Sequence, residues 1–118
     1  MRSPASTPAA ALRELSERTA DVRAAIALGP DDSLLAAEPT RGDLGERLRD
    51  LTLAVLEGAD AAADEPPAEV EIATHAGAVY VVRGEGATLA VVAGRLTLSS
   101  LMRYDLRRAL AELAEGSA

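Results

Sequence analysis

Two hydrophobic periods take turns along this chain. From Val22 to Leu28, the residues Val22, Ala24, Ile26 and Leu28 alternate with Arg23, Ala25 and Ala27. That period of two predicts a strand. Gly29-Pro30-Asp31-Asp32 is a turn cluster. Ser33–Glu38, with Leu34 and Leu35, predicts a second short strand, and the two make a hairpin. The same period returns later. Ala68–Thr74 sets Val70 and Ile72 between Glu69 and Glu71, while Ala78–Arg83 and Ala87–Ala93 are apolar on both faces. His75-Ala76-Gly77 and Gly84-Glu85-Gly86 join these runs, and short Gly-containing loops between β-branched runs are hairpin signals. Strands apolar on both sides need cover on both sides. The meander is therefore predicted to be the middle of a sheet with helices above and below.

The helical period fills the gaps. Thr7-Pro8 is a helix start, with Thr as N-cap and Pro at the first helical position. Leu12 and Leu15 share one face of a short helix ending near Thr19. After Pro39, either Thr40 or Asp43 caps the longest helix, which runs to about Ala63 with Leu44, Leu48, Leu51, Val55, Ala59 and Ala62 as its stripe. Leu53 and Leu56 fall outside that stripe; Leu53 lies about half a turn round from Leu44 at ~3.6 residues per turn. A helix packed on one side would carry polar residues there. Leu53 is either a stray exposed Leu or part of a second contact along Gly45, Arg49, Leu53 and Leu56. Asp64-Glu65-Pro66-Pro67 breaks this helix. After the meander, Ser99 or Thr97 caps a last helix whose apolar residues are Leu101, Met102, Leu106, Ala109, Leu110 and Leu113. Arg103, Arg107 and Arg108 with Glu112 form its wet side. The predicted domain spans 7–115, between a Pro/Ala/Ser tail at 1–6 and a frayed tail at 116–118.

Composition narrows the function. At 118 residues the chain is one domain with room for a core. That core must be Leu, Val and Ala, because Tyr80 and Tyr104 are the only aromatic residues. A net charge of -7 argues against a nucleic-acid backbone, and two aromatics are too few for a base-stacking platform. Without cysteine there is neither disulfide nor thiolate chemistry. No apolar run approaches a membrane span of ~18 residues. The N-terminus lacks an apolar signal core, so a cytoplasmic location is expected.

No catalytic constellation emerges. His75 is a lone turn residue with no nucleophile or orienting carboxylate brought to it. Carboxylates alone offer no metal-binding spacing, so neither metal nor cofactor is expected. Asp31-Asp32 after Gly-Pro is ordinary turn chemistry. Gly84-Glu85-Gly86 joins strands instead of opening a helix, and its Glu would repel phosphate. Arg41-Gly42-Asp43 sits at a helix start and reads as a chance tripeptide. Glu69 and Glu71 could be paired catalytic carboxylates, but alternation makes them the solvated or edge-protecting side of a strand.

The element order and several local patterns resemble the roadblock (dynein light chain) family over residues 9 to 114. The likeness is densest in Val22–Ala36, in Glu69–Ala93 and in Leu98–Leu110, where Leu101-Met102-Arg103-Tyr104-Asp105-Leu106-Arg107-Arg108-Ala109-Leu110 looks like the family's closing helix. Two positions depart. Asp32 stands where the family often has Gly in the first hairpin turn; Asp can enter the left-handed region at some cost. Ser100 stands where the family favours Gly.

The resemblance implies an α+β, profilin-like fold: α-β-β-α-β-β-β-α, with a five-stranded antiparallel sheet in the order 2-1-5-4-3. The long helix covers one face and the terminal helices the other. It implies a homodimer in which third strands pair across a two-fold axis and long helices approach one another, with Arg49, Leu53, Leu56, Glu69, Glu71 and Ala73 at the interface. It further implies a non-enzymatic platform for a small Ras-like GTPase, with Arg41, Arg47 and Arg49 facing that partner. The Ala/Arg/Leu-rich, Lys-free composition fits a high-GC genome and hence a bacterial partner. The competing reading is a small-ligand sensor of profilin or PAS type. It needs a pocket with convergent polar groups, and the meander interior (Val70, Ile72, Val79, Val81, Leu89, Val91) offers no obvious one.

Overall fold

The computed structural model describes residues 7–117, and the side chains of 7–114. The expected tail at 1–6 and residue Ala118 lie outside the described residues. In order come α1 (Pro8–Arg18), β1 (Val22–Leu28), β2 (Leu34–Glu38), α2 (Leu44–Ala62), β3 (Glu69–Ala73), β4 (Gly77–Arg83), β5 (Thr88–Gly94) and α3 (Ser99–Ser117). The strands form one antiparallel sheet in the order β2-β1-β5-β4-β3. The expected fold class and strand order are those observed. The last helix runs to Ser117.

Local chemistry sets the element ends. Thr7 caps α1 by accepting the Ala10 N–H at 3.2 Å, with Pro8 behind it. The β1–β2 turn closes because Asp32 takes φ +64°, the left-handed conformation that Gly would adopt freely. Gly77 is needed at φ +155°, since a Cβ there would lie 1.9 Å from the Ala93 carbonyl oxygen.

Two expected caps differ. Asp43 stands at the α2 N-cap position without a side-chain capping bond, and Thr40 donates to the Ala37 carbonyl instead. At α3 the Met102 N–H bonds the Leu98 carbonyl at 2.9 Å. Thr97 is drawn off to the Ala20 carbonyl and Ser99 to Glu71, so neither caps the helix.

The sheet separates two cores. On one face Ala25, Ala27, Tyr80, Val82, Leu89 and Val91 meet Leu12 and Leu15 of α1 and Met102, Leu106 and Leu113 of α3. On the other, Ile26, Leu28, Val79, Val81 and Ala90 meet Leu48 and Leu56 of α2. Tyr80 is buried in the first core, so only Tyr104 is an exposed aromatic.

The phase of α2 differs from the predicted stripe. Gly45, Leu48, Thr52 and Leu56 face the sheet. Leu51 is 45% exposed, and Leu56 only 8%. Counting leucines misplaced the face because the residues at closest approach are small. A Cβ on Gly45 would sit 2.9 Å from both Ala37 and Leu34 side chains. Thr52 is fully buried, with its hydroxyl satisfied by the Leu48 carbonyl at 2.8 Å. Leu53 packs against the same core. The expectation that Leu53 and Leu56 point away from the sheet is therefore wrong.

Candidate functional site: an open strip beside an edge strand

Register across the sheet builds the site. On the α2 face, Ala24, Val92, Val79 and Ile72 are paired in one row across β1, β5, β4 and β3. The next row is Ile26, Ala90, Val81 and Val70, with Ala37 beyond on β2. The start of α2 sits over β2 at Leu34 and Ala37. Its far end is tied to β4 by Asp60, whose Oδ1 accepts from Arg83 Nη2 at 2.8 Å. This diagonal leaves the first row partly open. Val92 is half-buried and Ile72 is 41% exposed. Leu51 and half-buried Val55 lie along the flank of α2. A shallow groove of ≈ 500 Å³ is lined there by Arg23, Ala24, Leu44, Arg47, Leu48, Leu51 and Val92. An apolar strip with a charged rim is the ordinary composition of a protein-binding surface.

The strip reaches β3, a sheet edge. The Ala68 carbonyl accepts the Arg83 N–H, and the Thr74 N–H bonds the Gly77 carbonyl. In an antiparallel ladder, residues of that parity bond inward and the alternate ones point out. The N–H and C=O groups of Glu69, Glu71 and Ala73 therefore face the open edge. Their side chains project to the other face of the sheet. Glu69 accepts from Arg107 at 2.7 Å, and Glu71 accepts from the Ser99 hydroxyl at 2.8 Å. Tyr80 lies 3.1 Å from Ser99 Oγ and extends that chain into the core. These acids clasp β3 to α3, a role the alternation argument did not foresee.

The three arginines expected on a partner surface border different features of α2 and its entry. Arg49 reaches back to the β1–β2 turn, where its Nε donates to the Asp32 carbonyl at 2.6 Å. That places it toward the β2 side, away from the β3 edge. Arg41 lines a separate groove of ≈ 290 Å³ with Leu35, Thr40 and Glu46. Arg47 borders the open strip and has only a 4.0 Å approach to Asp43. Leu51 and Arg23 were missed. Arg23 is one of the alternating positions of the first strand, at the point where the β1–β5 pairing slips between Val22 and Ala24. Its guanidinium bonds Asp21 at 2.8 Å. The Leu96 N–H, then Arg23, hold the Asp21 carboxyl below its ordinary pKa. Arg83 does the same for Asp60, and the Ser33 hydroxyl for Asp31.

Among the described residues no cluster of His, Cys, Asp or Glu could hold a metal ion, and no helix is long and apolar enough to cross a membrane. By sequence the chain matches no protein-family model and no curated protein. By structure it is similar to the Roadblock/LC7 domain from Streptomyces avermitilis, with a TM-score of 0.78 and 17% identity over 89% of this chain and 92% of that one. It is also similar to the gliding protein MglB from Thermus thermophilus, with a TM-score of 0.74 and 21% identity over 90% and 84%. MglB of Myxococcus xanthus matches with a TM-score of 0.72 and 17% identity over 90% of each chain. The chain has the Roadblock/LC7 fold.

Proposed function

We propose that this Roadblock/LC7-fold chain is a non-catalytic homodimeric scaffold or regulator that binds a small Ras-like GTPase in a bacterial cytoplasm. The observation that carries the reading is the open strip of Leu51, Val55, Val92 and Ile72 running to the unpaired edge of β3. Two copies pairing β3 to β3 would satisfy the outward N–H and C=O groups of Glu69, Glu71 and Ala73 and cover Ile72 and Leu51. Leu51 takes the part that sequence reasoning gave to Leu53 and Leu56. The likeness to MglB proteins and the roadblock-like sequence patterns support the GTPase partner. A ligand sensor gains no support from the meander interior: Val79, Val81, Leu89 and Val91 are buried in the two cores.

The GTPase docks beside Arg47, which pairs with an acidic group and positions it without chemistry; Arg41, on its separate groove, stays outside the reacting centre. Arg47→Glu is expected to weaken binding of a purified small GTPase from the same genome at least tenfold with the fold intact. Arg41→Ala changes single-turnover GTP hydrolysis at saturation by less than tenfold, because removing an inserted arginine finger costs about 10³ or more. A thousandfold loss with Arg41→Ala at unchanged affinity would make the chain a direct contributor to catalysis and overturn the scaffold reading.

A further inference from the structure

One half-buried arginine beside the β3 edge has no acid of its own. Met102, Leu106 and Leu113 point α3 into the closed core and turn Leu101, one of the apolar residues expected along this helix, outward. Ser99, Arg103 and Arg107 are spaced four apart, so they form one row on the flank of α3. Both ends of that row are fixed to β3, Ser99 donating to Glu71 at 2.8 Å and Arg107 to Glu69 at 2.7 Å. Arg103 stands between them, on the side of the same strand. Arg18, Arg23, Arg47, Arg49, Arg83, Arg107 and Arg108 each hold a carboxylate. Among the described residues, Arg13, Arg41, Arg95 and Arg103 have no ion pair. Water serves the first three, which are exposed; Arg103 alone of the four is half-buried.

The β3 edge supplies the geometry. Its outward N–H and C=O groups belong to Glu69, Glu71 and Ala73. A second copy pairing antiparallel about a two-fold axis uses all three only when the axis passes through Glu71. On the α2 face that register sets Val70 opposite Ile72 of the second copy, in a non-hydrogen-bonded pair where side chains approach most closely. On the α3 face it sets the two Glu71 side chains opposite one another, in a bonded pair with Cα atoms ~5.5 Å apart. Like charges so placed repel. Each copy brings Glu69, Glu71 and Arg107 to this seam, and acids and bases balance only when Arg103 is included.

We infer that Arg103 of each copy pairs with Glu71 of the other, and that this crossed ion pair lets an acidic edge accept a second copy of itself. Within one chain Glu69 is neutralised by Arg107, but Glu71 has only the Ser99 hydroxyl. Ser99 of its own chain and Arg103 of the second copy then hold each Glu71 carboxylate from both sides of the axis. A guanidinium–carboxylate bond across a partly dry interface is charge-assisted and acts on the choice of partner. Arg103 and Glu71 are therefore the residues that decide which Roadblock-fold chains this edge accepts: a chain with a base at the Glu71 position is rejected by Arg103. The inference rests on the proposed β3-to-β3 dimer and names the contact that makes it selective.

The test immobilises the full wild-type chain on one surface and Glu71→Lys on another, too sparsely for neighbours to pair, and measures binding of soluble wild type and soluble Arg103→Glu. The wild-type surface is expected to bind soluble wild type about tenfold tighter than Arg103→Glu. The Glu71→Lys surface reverses that order by about the same factor, because its new base then meets an acid. A merely structural defect in Arg103→Glu would weaken binding to both surfaces and leave the order unreversed. Arg103→Gln shifts both affinities in the same directions by about threefold, and it is the variant read if the charge reversal does not melt cooperatively. The same order on both surfaces, or no preference on either, would overturn the crossed ion pair while leaving the β3 dimer in place. Failure of wild type to bind itself at tens of micromolar would overturn the dimer reading and this inference with it.

Discussion

The two faces of the sheet solve the same burial problem differently. Under α1 and α3 two helices close one face completely. Leu12, Leu89, Met102 and Leu106 are inaccessible there, and polar clasps lock the rim: Thr19 to Asp105, Ser99 to Glu71, Arg107 to Glu69. On the other face a single helix lies diagonally. It comes close only because Gly45 and Thr52 are small, and it leaves the Val92–Ile72 row half covered. Stability is concentrated where two helices meet the sheet. On the proposed reading, association falls to the face that one helix leaves partly open.

That contrast can be broken most strongly from the closed side. Leu106→Ala removes a fully enclosed side chain and is expected to cost about 2–5 kcal/mol, the range for cavity-forming substitutions. Chemical denaturation reads it directly, and a loss below about 1 kcal/mol would show that this face is less tightly closed than its burial indicates.

Gly45→Ala separates propensity from packing on the other face. In a free helix the change would gain about 1 kcal/mol. Here the added Cβ meets Ala37 and Leu34 at 2.9 Å, tighter than ordinary contact, so a net loss of about 1–3 kcal/mol is expected. A stabilised variant would mean that α2 lifts freely and that its close seating does not define the strip.

The smallest effect is that of pH. Asp21, Asp31 and Asp60 are held below their ordinary pKa by hydrogen bonds that unfolding removes. A lowered folded pKa contributes stability that is fully present above the unfolded value of about 3.9 and lost as pH falls through the folded values. Melting temperature should therefore be flat from neutral pH down to about 5 and fall below about 4. A fall beginning near pH 6 would point to another group.

Much of this was legible in the sequence. Period-two runs and Gly turns gave the meander, and apolar residues on both sides of β4 and β5 demanded two helical layers. What misled was the assumption that the inner face of a helix is its leucine face. Gly45 and Thr52 face the sheet because they are small or can bond their own backbone, and this turns Leu56 inward and Leu51 outward. Likewise Glu69 and Glu71 alternate as solvated residues would, yet their partners come from α3, far along the chain. The bond of Arg49 to a carbonyl of the β1–β2 turn is likewise one that no local pattern reveals.

Sedimentation equilibrium of the wild-type chain and of Leu51→Glu tests the central claim most directly. The wild type should sediment at twice its 12.2 kDa chain mass. The variant should sediment at the single-chain mass and retain a cooperative melt, because Leu51 is not part of the closed core. A wild-type monomer at tens of micromolar, or a Leu51→Glu chain that stays dimeric, would contradict the assignment of the open strip to self-association.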